Sequence, residues 1–242
     1  MDYFEEIIAL LQEVRETQAK AMERAAQVIA EAIENDHLLY VFGATHAGIL
    51  AQELFYRAGG LVPVNPVLPP GLVTDVRPAT LTSRLERLPG FGAEVLAESP
   101  IAAGDVLIVH SVSGRNAAVV EFALGAQERG AFVIALTSVT YSSSVQPRHP
   151  DLPRLFEMAD LVLDNRAPVG DALIELPGLP QKVGPSSTVT GAAILNAIVV
   201  RVAELLLERT GDPPVFMSAN LDGGDAFNQR WLEHYKGRLT YL

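Results

Sequence analysis

The chain has 242 residues, of which 49% are hydrophobic and 19% charged, and its net charge is −11. This composition is typical of an ordered globular protein, and the negative charge argues against nucleic acid or an anionic membrane surface as a partner. The absence of cysteine excludes disulfides, thiolate metal ligands and a cysteine nucleophile.

The N-terminal part of the chain predicts helix, strand, helix and strand in turn. Apolar residues recur with a 3.6-residue period from Phe4 to Ile33, which predicts a long helix. The continuous apolar run Leu38–Phe42 is typical of a buried parallel strand. A helix at about 48–58 and a second strand at Leu61–Val64 follow, and the proline-rich stretch Pro63–Pro78 is expected to be an irregular loop at the rim.

Strands and helices continue to alternate through the middle of the chain. Further strands are expected at Val106–His110, Phe132–Leu136 and Leu161–Leu163, and helices at Ala117–Glu128 and Gly191–Glu208. Alternation of this kind predicts a parallel sheet with helices on both faces. The fold class is therefore α/β, as a three-layer αβα sandwich in one domain.

Three expectations about cofactors and location follow from what is missing. The five histidines show no metal-ligand spacing, so we expect no metal and no other cofactor. The stretches Val106–Val109 and Ala192–Val200 are shorter than the ~20 apolar residues of a membrane span. The acidic start of the chain does not resemble a signal peptide, and we expect a cytoplasmic protein.

Hydroxyl-rich loops mark the ends of several predicted strands. In an open parallel sheet, ligands bind beyond the carboxyl ends of the strands, which here are followed by Gly43–Gly48, Ser111–Asn116 and Thr137–Ser144. Ser111–Asn116 combines two serines, a glycine and an asparagine before a helix, which favours anion binding over simple helix capping. Gly184–Thr188 is a further hydroxyl cluster at a helix start, with more hydroxyls than capping uses.

These segments resemble the SIS (sugar isomerase) domain family, whose members bind or isomerise phosphosugars. The resemblance rests on Tyr40–His46, on Leu107–Asn116 with its Ser-x-Ser-Gly-x-Asn element, and on Gly184–Thr188, and it covers about residues 35–208. Glu53–Pro66 and Ser218–Asn220 resemble, more narrowly, an uncharacterised bacterial subgroup of stand-alone SIS proteins. Because that subgroup has no assigned reaction, the resemblance extends to sugar-phosphate binding and no further.

The resemblance implies a particular fold and assembly. It implies a five-stranded parallel sheet in flavodoxin-like order and a single SIS domain over residues 1–242, with a core at about 35–208 and helical extensions at 1–34 and 209–242. It also implies a homodimer or higher homo-oligomer with sites near the subunit interface. The ligand would be a phosphorylated sugar.

The resemblance also assigns binding residues. Residues that match the family's phosphate-binding positions are Thr45, Ser111, Ser113, Gly114 and Asn116. Ser186, Ser187 and Thr188 would face the sugar or complete the anion site. The first loop has Ala44 and Ala47 where many relatives have glycine and serine, which leaves its share of the binding open.

An aldose–ketose isomerase needs groups that move protons, and three residues are candidates. Glu53, one to two helical turns beyond the first loop, is the candidate base, although a salt-bridged helix glutamate fits the same position. His46 lies in the loop and could open the sugar ring or be a turn residue. His234 could enter a partner's site, as relatives use a histidine from the neighbouring subunit. His110, at a strand end, is expected to be a packed core residue.

Three functions of different classes stay open. The chain could isomerise a phosphosugar, such as an amino-sugar phosphate, without a cofactor. It could be a lyase or etherase on a similar substrate, or a non-catalytic sugar-phosphate sensor. A dinucleotide site is set aside because Thr45 replaces the second glycine of the G-x-G-x-x-G pattern.

Overall fold

The computed structural model describes residues 2–242 and contains one five-stranded parallel sheet. Its strands, numbered in chain order, are β1 (Leu39–Gly43), β2 (Val64–Val67), β3 (Val106–His110), β4 (Phe132–Thr137) and β5 (Leu161–Asp164). They are hydrogen-bonded in the order β2-β1-β3-β4-β5. The expected α/β class and the flavodoxin-like strand order are both confirmed.

Nine helices surround this sheet in the part of the chain that the structure describes. They are α1 (Tyr3–Glu34), α2 (Ile49–Leu54), α3 (Thr80–Leu85), α4 (Phe91–Ala97), α5 (Ala117–Glu128), α6 (Val139–Ser143), α7 (Leu155–Met158), α8 (Ser187–Thr210) and α9 (Gly224–His234). The long helix α1 and the C-terminal helix α9 are the expected terminal extensions.

Alternating side chains divide the core into two layers, because successive residues of a strand point to opposite faces of the sheet. Leu39 and Val41 lie in the layer that α1, α2 and α8 cover. Tyr40 and Phe42 lie in the other layer, where the Phe42 ring packs against Phe122 of α5 with centroids 4.5 Å apart. Each central strand is buried on both faces, which explains its continuous apolar sequence.

The strand order creates a crevice at the carboxyl ends of the strands, between β1 and β3. The chain passes from β1 to β2 on one side and from β3 to β4 on the other, so it reverses direction between β1 and β3. Gly43 and His110, the last residues of these two strands, are directly paired. Loops that leave neighbouring strands in opposite directions separate from each other, and this is where ligands bind in such sheets.

Two predicted elements have different bounds in the structure. The helix expected at about 48–58 ends at Leu54, and the strand expected at Leu61–Val64 runs from Val64 to Val67. Residues 59–62 instead pair with residues 214–216, through bonds such as Gly59 N to the Phe216 carbonyl (2.9 Å). Pro66 fits inside β2 because β2 is an edge strand, where a missing N–H costs no ladder bond.

Helix α8 is strongly apolar in sequence, and one of its faces is buried while the other is exposed. It is long and apolar enough to cross a membrane by composition, and half of its most apolar window is buried inside the domain. Ile194, Ile198 and Val202 are part of the core layer shared with α1. Burial in the core accounts for the apolar character of this face, and no membrane is indicated.

The segment beyond β5 forms a separate small hairpin. β6 (Ala172–Ile174) pairs antiparallel with β7 (Val183–Pro185), and neither strand joins the main sheet. The hairpin returns the chain to the start of α8. It thereby places Asp171 next to Ser186 and Ser187.

Candidate functional site

The loop Ser111–Asn116 connects β3 to α5 and presents unused backbone donors. Within residues 2–242, none of the N–H groups from Val112 to Asn116 donates to a backbone carbonyl. The Ser111 N–H, one residue earlier, still bonds to the Leu136 carbonyl at 3.1 Å and anchors the loop to β4. Five consecutive free N–H groups at the start of a 12-residue helix form a local concentration of positive potential.

The shape of this loop is fixed by the last residue of β4 and by residues that follow β4. Gly114 has a φ of +56°, and a Cβ there would lie 3.0 Å from Ser142 Oγ and 3.2 Å from Leu155 Cβ. The Gly114 carbonyl accepts a hydrogen bond from the Leu155 N–H (2.8 Å), and the Val112 carbonyl accepts one from the Thr137 hydroxyl (3.1 Å). The loop is therefore held open without a ligand, which lowers the ordering cost of binding.

Two backbone donors of the first loop, Gly43–Gly48, already have acceptors. Thr45, with a φ of +58°, donates its N–H to the Leu72 carbonyl at 2.7 Å, and the Ala47 N–H bonds to the Ala44 carbonyl. A Cβ on Gly43 would lie 2.5 Å from the Ala47 oxygen, which explains the glycine. The half-buried Thr45 side chain and the exposed His46 side chain are groups this loop can offer to a ligand.

His110 holds the first loop against β3. Its side chain is buried, and Nδ1 lies 3.1 Å from the Ala47 carbonyl oxygen. Burial lowers the pKa of His110 to about 4, although the Ala47 contact and the nearby Asp171 oppose this shift. The imidazole is neutral at pH 7, and because a carbonyl only accepts, Nδ1 carries the proton. The expectation of a packed core residue is confirmed.

The hydroxyl cluster at the start of α8 is occupied by a carboxylate of the chain itself. Asp171 accepts the N–H groups of Ser186 (3.2 Å) and Ser187 (2.8 Å) and both serine hydroxyls (3.1 and 2.7 Å). The side chain of Asp171 therefore sits where an external anion would sit. The sequence contains no local signal for this cap, since Asp171 lies 15 residues before Ser186. Thr188 follows as a half-buried residue of α8.

Glu53 lies at the end of α2, next to α8. Its Oε1 atom contacts Arg57 in an i, i+4 ion pair and accepts a hydrogen bond from Asn196 Nδ2 at 3.1 Å. The side chain is about one-third exposed. The structure thus contains the salt bridge that the alternative interpretation described, while Oε2 has no partner among residues 2–242. His46 is exposed in the 3-10 turn Thr45–Gly48.

His234 lies near the amino end of β1, whereas these loops follow the carboxyl ends of the strands. Its Nε2 is 3.8 Å from Asp36 Oδ1, and Asp36 precedes the first residue of β1. The ring packs edge-on against Tyr235. Within one chain His234 is therefore not brought to the carboxyl ends of β1 and β3. A role in a partner's site stays a prediction.

One segment connects the two loops, and its first part belongs to the proline-rich stretch Pro63–Pro78 that was expected at the rim. The Leu72 carbonyl accepts the Thr45 N–H, and the Glu86 carbonyl accepts the Ala118 N–H at 3.1 Å, so residues 72–86 run between the first loop and the start of α5. Burial raises the pKa of the Glu86 carboxyl, which Arg87, Asn116 and Arg148 oppose. Raised carboxyl pKa values next to a polar cleft are typical of functional sites.

A mostly apolar cavity lies elsewhere and is unsuited to a phosphate. It has a volume of about 390 Å³ between the end of β2 and α4, and most of its lining is apolar, including Val67, Leu68 and Phe91. Its charged lining residues are Glu94 and Glu98. Carboxylates repel an anion, so the crevice between β1 and β3 is the better candidate site.

Comparison with known proteins agrees with this geometry. A family model described as the SIS domain matches residues 2–138. UPF0309 proteins from Shouchella clausii and Oceanobacillus iheyensis are 46% and 44% identical to the chain, over 99% and 100% of its length and 98% of theirs. The chain therefore belongs to the SIS domain family, and the predicted similarity to a stand-alone bacterial subgroup is confirmed.

Solved structures with low sequence identity share the fold. A phosphoheptose isomerase from Neisseria gonorrhoeae is 21% identical with a TM-score of 0.54, covering 83% of this chain and 95% of that one. A phosphoheptose isomerase from Francisella tularensis is 18% identical with the same TM-score, covering 84% and 95%. A protein from E. coli CFT073, solved as a complex, is 17% identical with a TM-score of 0.50, covering 84% and 87%.

Proposed function

We propose that the chain binds a phosphorylated sugar and that its phosphate occupies the loop Ser111–Asn116. The observation that carries this proposal is the set of five free N–H groups from Val112 to Asn116 at the start of α5. The hydroxyls of Ser111 and Ser113 are proposed as further side-chain donors to the phosphate, and the amide of Asn116, which also interacts with Glu86, as a third. Family membership and the phosphosugar isomerases with this fold support the same ligand class.

The overall charge makes local donors necessary. A chain with a net charge of −11 repels a phosphorylated sugar at long range, so attraction must come from groups in contact with it. Backbone N–H groups and a helix N-terminus provide this attraction without a mobile counter-ion, and they are already oriented. Thr45, across the crevice, offers a further hydroxyl to the sugar.

Aldose–ketose isomerisation is the reaction we propose for this site. A base must take the proton from the carbon next to the carbonyl of the open-chain sugar and return it to the carbonyl carbon, while an acid and base move a proton between the two oxygens. Glu53 is the proposed base, because both of its contacts involve Oε1 and Oε2 remains available. His46, exposed next to Thr45, is the proposed group for ring opening.

A second copy of the chain would bring Glu53 to a subunit boundary. Val189, Val200 and Leu207 on α8 are exposed, and Val200 is 60% accessible. They lie on the same helix as Asn196, which contacts Glu53. Burial of these apolar side chains against an identical surface would stabilise a dimer. Light scattering is expected to show a dimer for the native chain and a monomer for Val200→Glu; a monomeric native chain would contradict the shared site.

A thermal-shift screen tests the ligand class. Phosphorylated hexoses, pentoses, heptoses and amino sugars are each compared with the unphosphorylated sugar, because a ligand that binds the folded state raises the melting temperature. We expect stabilisation by one phosphosugar class and none by its unphosphorylated form. No shift with any phosphosugar would overturn the proposal.

The ligand found in this screen then tests the reaction. Conversion to the ketose or aldose partner, abolished in Glu53→Gln with binding retained, is the expected result. Full turnover in Glu53→Gln would show that another group is the base. Loss of a substituent from the sugar would indicate a lyase or etherase, and binding without turnover would indicate a sensor.

A further inference from the structure

Three arginines from separate segments meet beside the loop Ser111–Asn116. Arg115 belongs to the loop itself, and its carbonyl accepts the N–H of Arg148 at 3.0 Å. Arg87 follows Glu86, whose carbonyl accepts the Ala118 N–H in the first turn of α5. Residues that are far apart in the sequence are thereby gathered around one helix N-terminus.

Some arginines of the chain form ion pairs, and others, including these three, do not. Seven arginines have a carboxylate oxygen within 4.0 Å, namely Arg57, Arg154, Arg166, Arg201, Arg209, Arg230 and Arg238. Within residues 2–242, none of Arg87, Arg115 and Arg148 does. The Nε atom of Arg115 is also buried without an acceptor in this part of the chain. Arg15, Arg24, Arg77, Arg84 and Arg129 also have no carboxylate oxygen within 4.0 Å among residues 2–242, so the distinguishing feature of this cluster is that three such arginines meet at one helix start.

The charges in this cluster act on one another. Burial lowers the pKa of Arg148, and the nearby Arg87 and Arg115 lower it further, while Glu86 and Tyr141 oppose this effect. Glu86 is the carboxyl that faces the cluster, and burial raises its pKa, so it is a weak counter-ion for three guanidinium groups. The cluster is therefore short of negative charge.

One phosphate does not need both sets of donors. Its three terminal oxygens are matched by the five backbone N–H groups and two serine hydroxyls of the loop. Guanidinium groups are planar, stay charged and suit bidentate contacts with carboxylate or phosphate oxygens. Arg87 and Arg148 add two further guanidinium charges close to Arg115 and the loop.

We infer that the site accepts a sugar phosphate with a second anionic group, a carboxylate or another phosphate, which Arg87, Arg115 and Arg148 bind. This inference rests on the proposed function, since the first phosphate must occupy the loop. It narrows the substrate class to doubly anionic sugars. It also assigns a role to charged residues that the isomerisation does not use.

Matched pairs of ligands test the inference by isothermal titration at low salt. Glucose 6-phosphate is compared with 6-phosphogluconate, which carries a carboxylate at the other end, and fructose 6-phosphate with fructose 1,6-bisphosphate. We expect the doubly anionic member of at least one pair to bind about tenfold or more tightly, since each charge-assisted contact changes affinity by about that factor. In Arg148→Gln and in Arg87→Gln this ratio should fall toward one.

Arg129→Gln is the control, because this substitution removes the same charge at the opposite end of α5. The affinity ratio should be unchanged in this variant. A ratio near one in the native chain, with glucose 6-phosphate or fructose 6-phosphate still bound, would overturn the inference and leave the proposed function intact. A ratio that persists in both arginine variants would also overturn it. Failure of all four ligands to bind, together with a thermal screen without hits, would overturn both proposals.

Discussion

Helices α5 and α8 both begin at hydroxyl-rich loops, but the donors of the two loops are in different states. At α5 the N–H groups of residues 112–116 have no carbonyl acceptor within residues 2–242. At α8 the N–H groups and hydroxyls of Ser186 and Ser187 are bound by Asp171. A helix N-terminus attracts an external anion when the chain does not supply its own carboxylate.

The two helix starts are therefore expected to have different roles. The loop before α5 has donors available to a ligand, and its shape is maintained by Gly114, Thr137 and Leu155. The start of α8 is a structural cap that fixes the hairpin of β6 and β7 to the helix. Ser186 and Ser187 are expected to contribute to stability, and Ser111 and Ser113 to ligand affinity.

Replacing both serines of the loop before α5 should have the largest effect on phosphosugar affinity. In the double variant Ser111→Ala, Ser113→Ala the phosphosugar affinity should fall about 100-fold, because two hydrogen bonds to a charged group are lost, each contributing about 1.5 kcal/mol. The melting temperature should change by less than about 2 °C. Calorimetric titration and thermal denaturation measure the two effects.

The matched control is Ser186→Ala, Ser187→Ala. Its melting temperature should fall, because two hydroxyl contacts with Asp171 are removed, while the phosphosugar affinity stays within about twofold of the native value. Loss of phosphosugar affinity in Ser186→Ala, Ser187→Ala, with affinity retained in Ser111→Ala, Ser113→Ala, would contradict the roles assigned to the two helix starts.

His110 predicts a pH-dependent contribution to stability. Its pKa is about 4 in the folded chain and near 6.5 when unfolded, so the unfolded state binds more protons between these values. Stability from the neutral buried ring is complete above pH 6.5 and is lost as pH falls toward 4, by about 3 kcal/mol. Denaturation of native and His110→Gln chains across this window gives the free energy of unfolding at each pH. This free energy should change less steeply with pH in the variant.

His149→Gln serves as the control for the pH experiment, because His149 lies in the segment after α6 and, among residues 2–242, has an ionic neighbour only in the side chain of Asp151. The slope between pH 4 and 6.5 should resemble that of the native chain. Equal slopes for native and His110→Gln chains would contradict the assignment of a buried neutral imidazole.

The sequence predicted the central sheet well because a buried strand consists of consecutive apolar residues. The bounds of β3 and α5 agree with the expectation, since Val106–His110 is continuously apolar and Ala117–Glu128 is bounded by a polar loop and a glycine. Strand β2 was misplaced because its position depends on residues 59–62 pairing with residues 214–216. Contacts between distant segments leave no local pattern.

The same distinction between local patterns and distant contacts applies to the candidate site. Ser111–Asn116 could be identified from its residue types, which is the kind of information a sequence contains. That Asp171 occupies the start of α8 could not be, because a two-stranded hairpin brings it there. Nor could the meeting of Arg87, Arg115 and Arg148, which requires three segments to fold against one helix.

Replacing Asp171 by asparagine should sharpen the distinction between the two helix starts. Asparagine keeps the left-handed backbone conformation (φ +65°) and one acceptor oxygen, but it removes the charge and the second acceptor. We expect a loss of about 1 kcal/mol in the free energy of unfolding and no change in phosphosugar affinity. Chemical denaturation and titration check both, with the exposed Asp222→Asn as control.

An increase in affinity in Asp171→Asn would contradict the distinction. It would mean that Asp171 competes with the ligand, and that the start of α8 is the anion site.

Two glycine substitutions should separate crowding from backbone strain, with a smaller effect. Gly114→Ala and Gly170→Ala both place a side chain at positive φ, at a cost of about 1 kcal/mol. A Cβ at Gly114 also crowds Ser142 and Leu155, whereas none of the atoms that the structure describes lies within 4 Å at Gly170. Both variants should melt at lower temperature, but phosphosugar affinity should fall only in Gly114→Ala.

A crystal structure with the phosphosugar identified in the thermal screen tests the central claim most directly. We expect the phosphate oxygens within about 3 Å of the N–H groups of residues 112–116, with Asp171 still bound to Ser186 and Ser187. A phosphate at the start of α8, with Asp171 displaced, would contradict the claim.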